Sequence, residues 1–317
     1  MVFSNHTLAR RLRLQQVVIL EQVLSSGTIS AASRELHLTQ PAISKAVQEL
    51  EDHFGRPLLT RSSRGVSPTD FGLMVQKHAK SLMTELRYLA DDINAWNDGV
   101  SGKVMVGTLL AASAQLLPQA IIRMREIAPN VVVQVNVGIN EAMFADMLRG
   151  QIDVVVGLVP GHAASTEVEH KVLFEESMCA VVGRHHPLAM QSQLDLGEVR
   201  QLDWILPTPD SEANSSAELF FDAIGIPKPV RIVESVSIMT SLGLLVDSNM
   251  VALMPFSVAR KFVQLGLITM LPLPHTASST QVGYTLAKGR SITPATARLL
   301  QALEEVADSC AASSNSL

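Results

Sequence analysis

Through the first hundred positions apolar residues recur at intervals of three and four, the period of helices with one buried face. Leu12, Val17, Leu20, Val23 and Leu24 lie largely on one face of a helix over residues 12–26, and Gly27 supplies its stop. Thr28 caps a short second helix through Ile29, Ala31, Ala32 and Leu36. Thr39 caps a third, with Gln40 and Pro41 in its first turn, where a proline's missing N–H costs nothing. That helix continues through Ala42, Ile43, Ala46, Val47, Leu50 and Phe54 to Gly55. Three short helices, the last two joined by a tight turn, are the skeleton of a helix-turn-helix. The stretch RPLLTRSSRGVSP (56–68) sets short apolar segments around a Ser62-Ser63-Arg64-Gly65 turn, which predicts a small β-wing with Arg61 and Arg64 at a basic tip.

A long helix is expected from Thr69 to Trp96. Its stripe of Phe71, Val75, His78, Leu82, Leu86, Leu89, Ile93 and Trp96 averages about 3.5 residues per step, the repeat of a two-stranded seam. A lone helix would expose that stripe, so the pattern calls for a partner, from a second copy of the chain or from its own core. Phe71, Val75, Leu82, Leu86, Leu89 and Ile93 are the dimerisation candidates.

Beyond residue 100 strands and helices alternate. Strands are expected at Lys103–Thr108, Val131–Val137, Ile152–Val159, Met178–Val182, Trp204–Leu206, Val230–Val233 and Val251–Met254. Helices are expected at Ala111–Ile127, Glu141–Leu148, Ala213–Ala223 and Ser237–Leu245. Continuous runs such as Val154-Val155-Val156 suit strands buried on both faces, hence a mostly parallel α/β sheet. The segments 131–157 and 229–255 share one order of strand, helix and buried strand, which reads as two similar lobes with a ligand cleft between them. Residues 281–306 return to the first lobe, and the Ala/Ser-rich tail from Ala307 is expected to fray.

Composition narrows the classes. With 47% hydrophobic residues the bulk is not disordered, and no run approaches the ~18 apolar residues of a membrane span. The arginine-led Val17-Val18-Ile19-Leu20 run is cut by Glu21 and is no signal peptide. Cys179 and Cys310 form neither a disulfide framework nor a metal quartet, which suits a reducing cytoplasm. Cys179 reads as a small buried hydrophobe, and Cys310 has no resolving partner. The His185-His186 pair lacks ligand partners at zinc spacing. No nucleophile elbow, Walker loop, zinc-protease helix or dinucleotide fingerprint is present, so the chain is read as neither an enzyme nor a cofactor protein. Residues 1–68 carry eight basic against five acidic side chains, the other 249 seventeen against 25, so only the head is suited to a polyanion.

The first turn of a recognition helix meets base edges in the major groove. Here Gln40 can contact adenine bidentately, Ser44 can donate or accept, Ala42 permits close approach beside Pro41, and Lys45 reaches phosphate or guanine. Arg61 and Arg64 would track phosphates or a narrow minor groove, and Ser30 and Arg34 join them from the preceding helix.

Residues 31–72, AASRELHLTQPAISKAVQELEDHFGRPLLTRSSRGVSPTDFG, closely resemble the winged helix-turn-helix of LysR-type transcriptional regulators, without gaps. The match includes Ala31-Ala32, Leu36, Gln40-Pro41-Ala42, Ser44, Leu50-Glu51, Gly55, Leu58, Arg61, Thr69 and Gly72. LLPQAIIRMREIAPNVVVQV and LRGQIDVVVG resemble the first lobe of the family's effector domain. Leu59 and Thr39 depart from the family's Phe and Ser, and about ten extra residues precede the first helix.

The resemblance implies a multidomain α plus α/β chain. Its parts are a winged helix-turn-helix (1–68), a linker helix (69–98), a two-lobed effector domain resembling periplasmic binding proteins (99–308) and a flexible tail (309–317). Lobe I is expected at about 99–171 and 272–308, lobe II at about 172–271. It further implies binding to an inverted repeat in promoter DNA as a dimer or tetramer, contact with RNA polymerase, and a small organic effector, an acid or a sugar. In the family the effector sits between the lobes, against a Ser or Thr after the first strand; that position falls on Leu109, beside Thr108. Strand ends and helix N-termini add Asn140, Thr208, Ser211, Ser235 and Ser237, each also suited to an ordinary helix cap or loop hydroxyl. Two other classes compete. A pure solute-binding protein has no use for residues 12–68, and an α/β enzyme needs a nucleophile–base pair that is not visible.

Overall fold

A computed structural model describes residues 4–62, 65–98, 101–108, 110–138, 140–159, 166–209, 212–273 and 276–312. The chain divides into two compact units, one running to Ala90 and including Arg149–Gln151, the other comprising Asp91–Leu148 and the residues from Ile152 onward.

The first unit holds α1 (Asn5–Arg11), α2 (Leu14–Ser26), α3 (Ile29–Glu35), α4 (Gln40–Phe54), the hairpin β1 (Leu59–Ser62) and β2 (Gly65–Pro68), and most of α5 (Asp70–Asp98). The expected caps are in place. Thr28 and Thr39 accept from the Ala31 and Ala42 N–H groups, and Gly27 and Gly55 close α2 and α4 in the left-handed conformation. Ile43, Val47 and Leu50 turn one face of α4 into a core shared with Ile19, Leu20 and Val23 of α2. The short helix α1, capped by Ser4, precedes the first helix expected from the pattern.

Polar anchors fix the hairpin. Glu51 Oε1 accepts from the Leu58 and Leu59 N–H groups at 2.7 and 3.1 Å, and Val66 N–H donates to the Gly27 carbonyl at 2.8 Å. Thr69 caps α5, accepting from Gly72 N–H at 2.9 Å. Gly72 passes so close to β1 that a Cβ there would stand 2.0 Å from the Leu58 carbonyl oxygen.

The apolar stripe on α5 is not uniform. Phe71 and Val75 pack on the head's own core, Phe71 edge-on to Phe54 at 5.8 Å, so these two are occupied within the chain. Leu82, Leu89 and Ile93 are exposed, and Leu86 is half-buried.

The second unit begins with β3 (Gly102–Thr108), α6 (Leu110–Ser113), α7 (Leu116–Ile127), β4 (Val131–Val137), α8 (Asn140–Leu148) and β5 (Val154–Leu158). It continues through β6 (Val168–Gly183), α9 (Leu196–Gln201), β7 (Trp204–Leu206), α10 (Glu212–Ile224), β8 (Ile232–Glu234) and α11 (Ile238–Asp247). It ends with β9 (Val251–Pro255), α12 (Phe256–Gln264), β10 (Ile268–Met270), β11 (Thr276–Ala287) and α13 (Pro294–Ala312). One sheet runs β4-β3-β5-β11-β6-β9-β7-β8, with β10 also on β6.

The mostly parallel sheet expected from the valine runs holds only for its two ends. The sets β4-β3-β5 and β9-β7-β8 are parallel, but β11 and β6 join them antiparallel. These two strands carry the chain from one lobe to the other, which alternation within a βαβ unit does not reveal. Consequently β6 is 16 residues long where only Met178–Val182 was expected. The helix expected over 111–127 is split, because Pro118 lacks the N–H that a continuous helix would require and its ring would meet the carbonyl of Ala114. At the other end α13 extends to Ala312, beyond the expected start of the frayed tail.

Lobe I buries Val104, Val106, Met124, Val156, Leu299 and Leu303 around β3, β5, α7 and α13. Lobe II covers both sheet faces: Trp204, Phe220 and Phe221 on one, Val181, Ile205 and Met254 on the other.

Candidate nucleic-acid interface and effector cleft

The inward residues of α4 fix its outward ones. With Ile43 and Val47 fully buried, Gln40, Pro41, Ala42 and Lys45 are exposed and Ser44 is half-buried. Gln40 Nε2 donates to Ser30 Oγ at 3.4 Å, joining the first turns of α3 and α4. The N-terminal end of α4 thus presents polar side chains together with the positive end of its macrodipole, suited to a polyanion. Lys45 Nζ lies 4.0 Å from Glu49 Oε1 and is 78% exposed, so the ammonium stays available. Arg34 and Arg61 are exposed on α3 and β1. Arg64 lies outside the described residues.

Among the effector candidates Thr108 is completely buried at the end of β3, and its hydroxyl donates to the Val156 carbonyl of β5 at 3.1 Å. Leu109 and Ser211 lie outside the described residues, as does the side chain of Asn140, the first residue of α8. Thr208, Ser235 and Ser237 follow the adjacent parallel strands β7 and β8, and Ser235 N–H donates to the Leu206 carbonyl at 2.9 Å. Ser235 Oγ accepts from Ser237 N–H at 3.1 Å, and Ser237 Oγ caps α11 by accepting from Thr240 N–H at 3.3 Å. The cap role and exposure coexist: Ser237 and Thr240 remain exposed at the start of α11. Thr240, 3.0 Å from Ser237 Oγ, escaped the sequence reading because it lies one turn inside the helix.

A second residue missed by pattern is Glu176. It sits on β6 where pairing passes from β11 (opposite Thr280) to β9, and it is buried at 4% exposure. Burial pushes its carboxyl above the ordinary carboxylate range, while hydrogen bonds from Ser257 (hydroxyl and N–H), Ser177 N–H and Phe256 N–H pull it back. It therefore caps the N-terminus of α12 from the strand joining the lobes. Beside it Ser216 of α10 and Thr280 of β11 share a 2.9 Å hydroxyl contact. Its one sequence signal is the Glu175-Glu176 pair just before the apolar run Met178–Val182 of the same strand.

Cys179 is buried and its thiol is pushed up by burial, first of all, and by the nearby Glu176 charge, which keeps it protonated. His186 is buried, accepts from Leu188 N–H at 3.0 Å and lies 3.2 Å from the Asn249 carbonyl; burial lowers its pKa. Among the described residues no His/Cys/Asp/Glu group is arranged for a metal ion, and no helix is long and apolar enough to cross a membrane.

Two families cover most of the chain. Residues 14–73 match "Bacterial regulatory helix-turn-helix protein, lysR family" and residues 97–308 match "LysR substrate binding domain". The transcriptional regulator GbpR of Azospirillum brasilense is 26% identical over 306 residues, 96% of this chain and 90% of that protein. GalR of Pseudomonas putida is 30% identical over 294 residues, 93% of this chain and 73% of that protein. In fold the chain is similar to full-length CbnR solved with its target DNA, with a TM-score of 0.69 at 21% identity, covering 93% of this chain and 99% of CbnR. The first family match falls on the helix-turn-helix head and the second on the α/β domain that follows α5, and the chain belongs to the LysR family of bacterial transcriptional regulators.

Proposed function

We propose that this regulator works in the cytoplasm and reads an inverted repeat in promoter DNA through the first turn of α4. In this reading Gln40 and Ser44 face base edges, Lys45 and Arg61 face phosphates, and Ser30 and Arg34 support them from α3. Arg64 joins them by its place in the sequence of the wing tip. The observation that carries this is the exposure of Gln40–Ala42 over a fully buried Ile43, which turns the polar first turn of α4 outward. The solved likeness of CbnR on its target DNA supports it as an analogy of fold. Two copies pair along Leu82, Leu86, Leu89 and Ile93, and their recognition helices address half-sites about one helical turn (~34 Å) or a multiple apart. The effector is a small organic acid or sugar held between the lobes, with Asn140, Thr208, Ser235 and Ser237 as its candidate contacts; it must favour one arrangement of the dimer over another to shift anything.

Replacing Gln40 with alanine is expected to relax base preference at one operator position by about 1–3 kcal/mol. Competition binding against single-base operator variants measures it; unchanged preference moves the reading role away from Gln40. For the effector, a thermal-shift screen of organic acids and sugars should give a hit that also changes the footprint on DNA upstream of the gene.

A further inference from the structure

The basic excess of the head lies in a place the recognition turn does not explain. Residues 14–68 hold five basic and five acidic side chains, so the whole surplus comes from Arg10, Arg11 and Arg13, in a stretch from Ser4 to Arg13 with no acidic residue. That stretch also precedes the matched helix-turn-helix region, which begins at residue 14.

Its local structure turns the three charges outward. In α1, Arg10 and Arg11 occupy the last turn, and the Leu12 N–H closes the helix on the Leu8 carbonyl. The backbone then extends, and Leu12 packs on the head core. Leu12 and Arg13 are both extended, where successive side chains alternate, so with Leu12 inward Arg13 points away; it is exposed, as are Arg10 and Arg11 in the last turn of α1. Among the described residues no carboxylate pairs with any of the three.

A short chain of contacts leads from this segment to the recognition helix. Gln16 Oε1 accepts from Arg13 N–H at 3.2 Å, and its Nε2 donates to Glu49 Oε2 at 2.8 Å. The other Glu49 oxygen is the one beside Lys45. Arg13 is therefore anchored one side chain away from the middle of α4, on the flank that carries Lys45.

We propose that residues 4–13 are a second phosphate-binding element of the head, in which Arg10, Arg11 and Arg13 engage the duplex backbone beside the recognition helix. This rests on the DNA-binding reading of α4 and extends the duplex surface it covers. Without the segment the head is electrically neutral and would gain little from long-range attraction to DNA. The competing role, arginines that merely complement the C-terminal dipole of a short helix, makes no demand on salt dependence.

The test is a potassium chloride titration of the full chain on a fluorescent duplex taken from upstream of its own gene. R10Q/R11Q/R13Q is expected to flatten the slope of log K against log salt by about 0.9 for each phosphate no longer neutralised, up to ~2.7 per protomer, and R10K/R11K/R13K to restore it. Q40A, run in parallel, should lose base preference and keep the slope. A glutamine variant that melts like wild type and keeps the wild-type slope overturns the proposal, as does a lysine variant that fails to restore it. If the triple glutamine variant does not fold, single variants at each arginine are read instead, and an unchanged slope in all three overturns it too. A wild-type protein with no salt-dependent affinity for the duplex would end the DNA-binding reading itself, and this inference with it.

Discussion

The head and lobe II solve the same problem, placing an exposed polar edge, by different means. The head has a small core, and its hairpin and helix starts are held by single polar anchors: Glu51 on the Leu58 and Leu59 amides, Thr69 under α5, Gly27 against Val66. Lobe II buries large side chains on both faces of its strands, with Trp204 and Phe220 wholly enclosed. The head's geometry thus depends on a few hydrogen bonds near its surface, whereas lobe II depends on apolar volume far from its candidate site. The contrast teaches where each is fragile.

The largest effect should come from volume. Trp204→Ala removes a ring stacked edge-on to Phe221 at 5.1 Å and leaves the Val199 carbonyl without its indole donor. A loss of about 3–5 kcal/mol is expected in urea unfolding of the effector domain; a loss near zero would break the contrast. Next comes the head's anchor. Glu51→Ala deprives the Leu58 and Leu59 amides of their acceptor and should cost about 1–3 kcal/mol together with part of the DNA affinity. Glu51→Gln keeps one acceptor oxygen and should recover much of both, measured by thermal melting and by anisotropy on DNA.

The smallest effect is a pH dependence. Because Glu176 has a folded pKa above its ordinary value, the folded chain holds that proton in a window where the unfolded chain has lost it. Stability from this group therefore falls as pH rises through that window. Glu176→Gln should not share that fall, so its melting temperature relative to wild type should rise as pH increases above the ordinary carboxylate range. A difference independent of pH would show that the Ser257 and backbone donors fully offset burial.

Legibility followed range. α4 could be bounded to the residue because Thr39, Pro41 and Gly55 are local signals, each acting within one turn of its own backbone. The outward residues of that helix followed from the buried Ile43–Val47–Leu50 face. The effector domain yielded its βαβ segments but not its joining strands, since β6 and β11 pair with each other, and β11 with β5, across about a hundred residues or more. For the same reason the burial of Thr108 was not legible: nothing near it in sequence reveals the Val156 carbonyl that it meets across the sheet. Phe71 and Val75 fit the seam by spacing, yet the head needed them to close its own core.

The position of α13 has a consequence for synthesis. Lobe I packs Leu299 and Leu303 against strands and helices completed nearly 150 residues earlier, while the buried residues of lobe II all lie between Met178 and Leu273. On the ribosome, lobe II can therefore finish folding first, with the half-built first lobe exposing its valine strands until the last helix emerges. Truncation or stalling just short of residue 299 should leave a species that aggregates through lobe I while lobe II is intact.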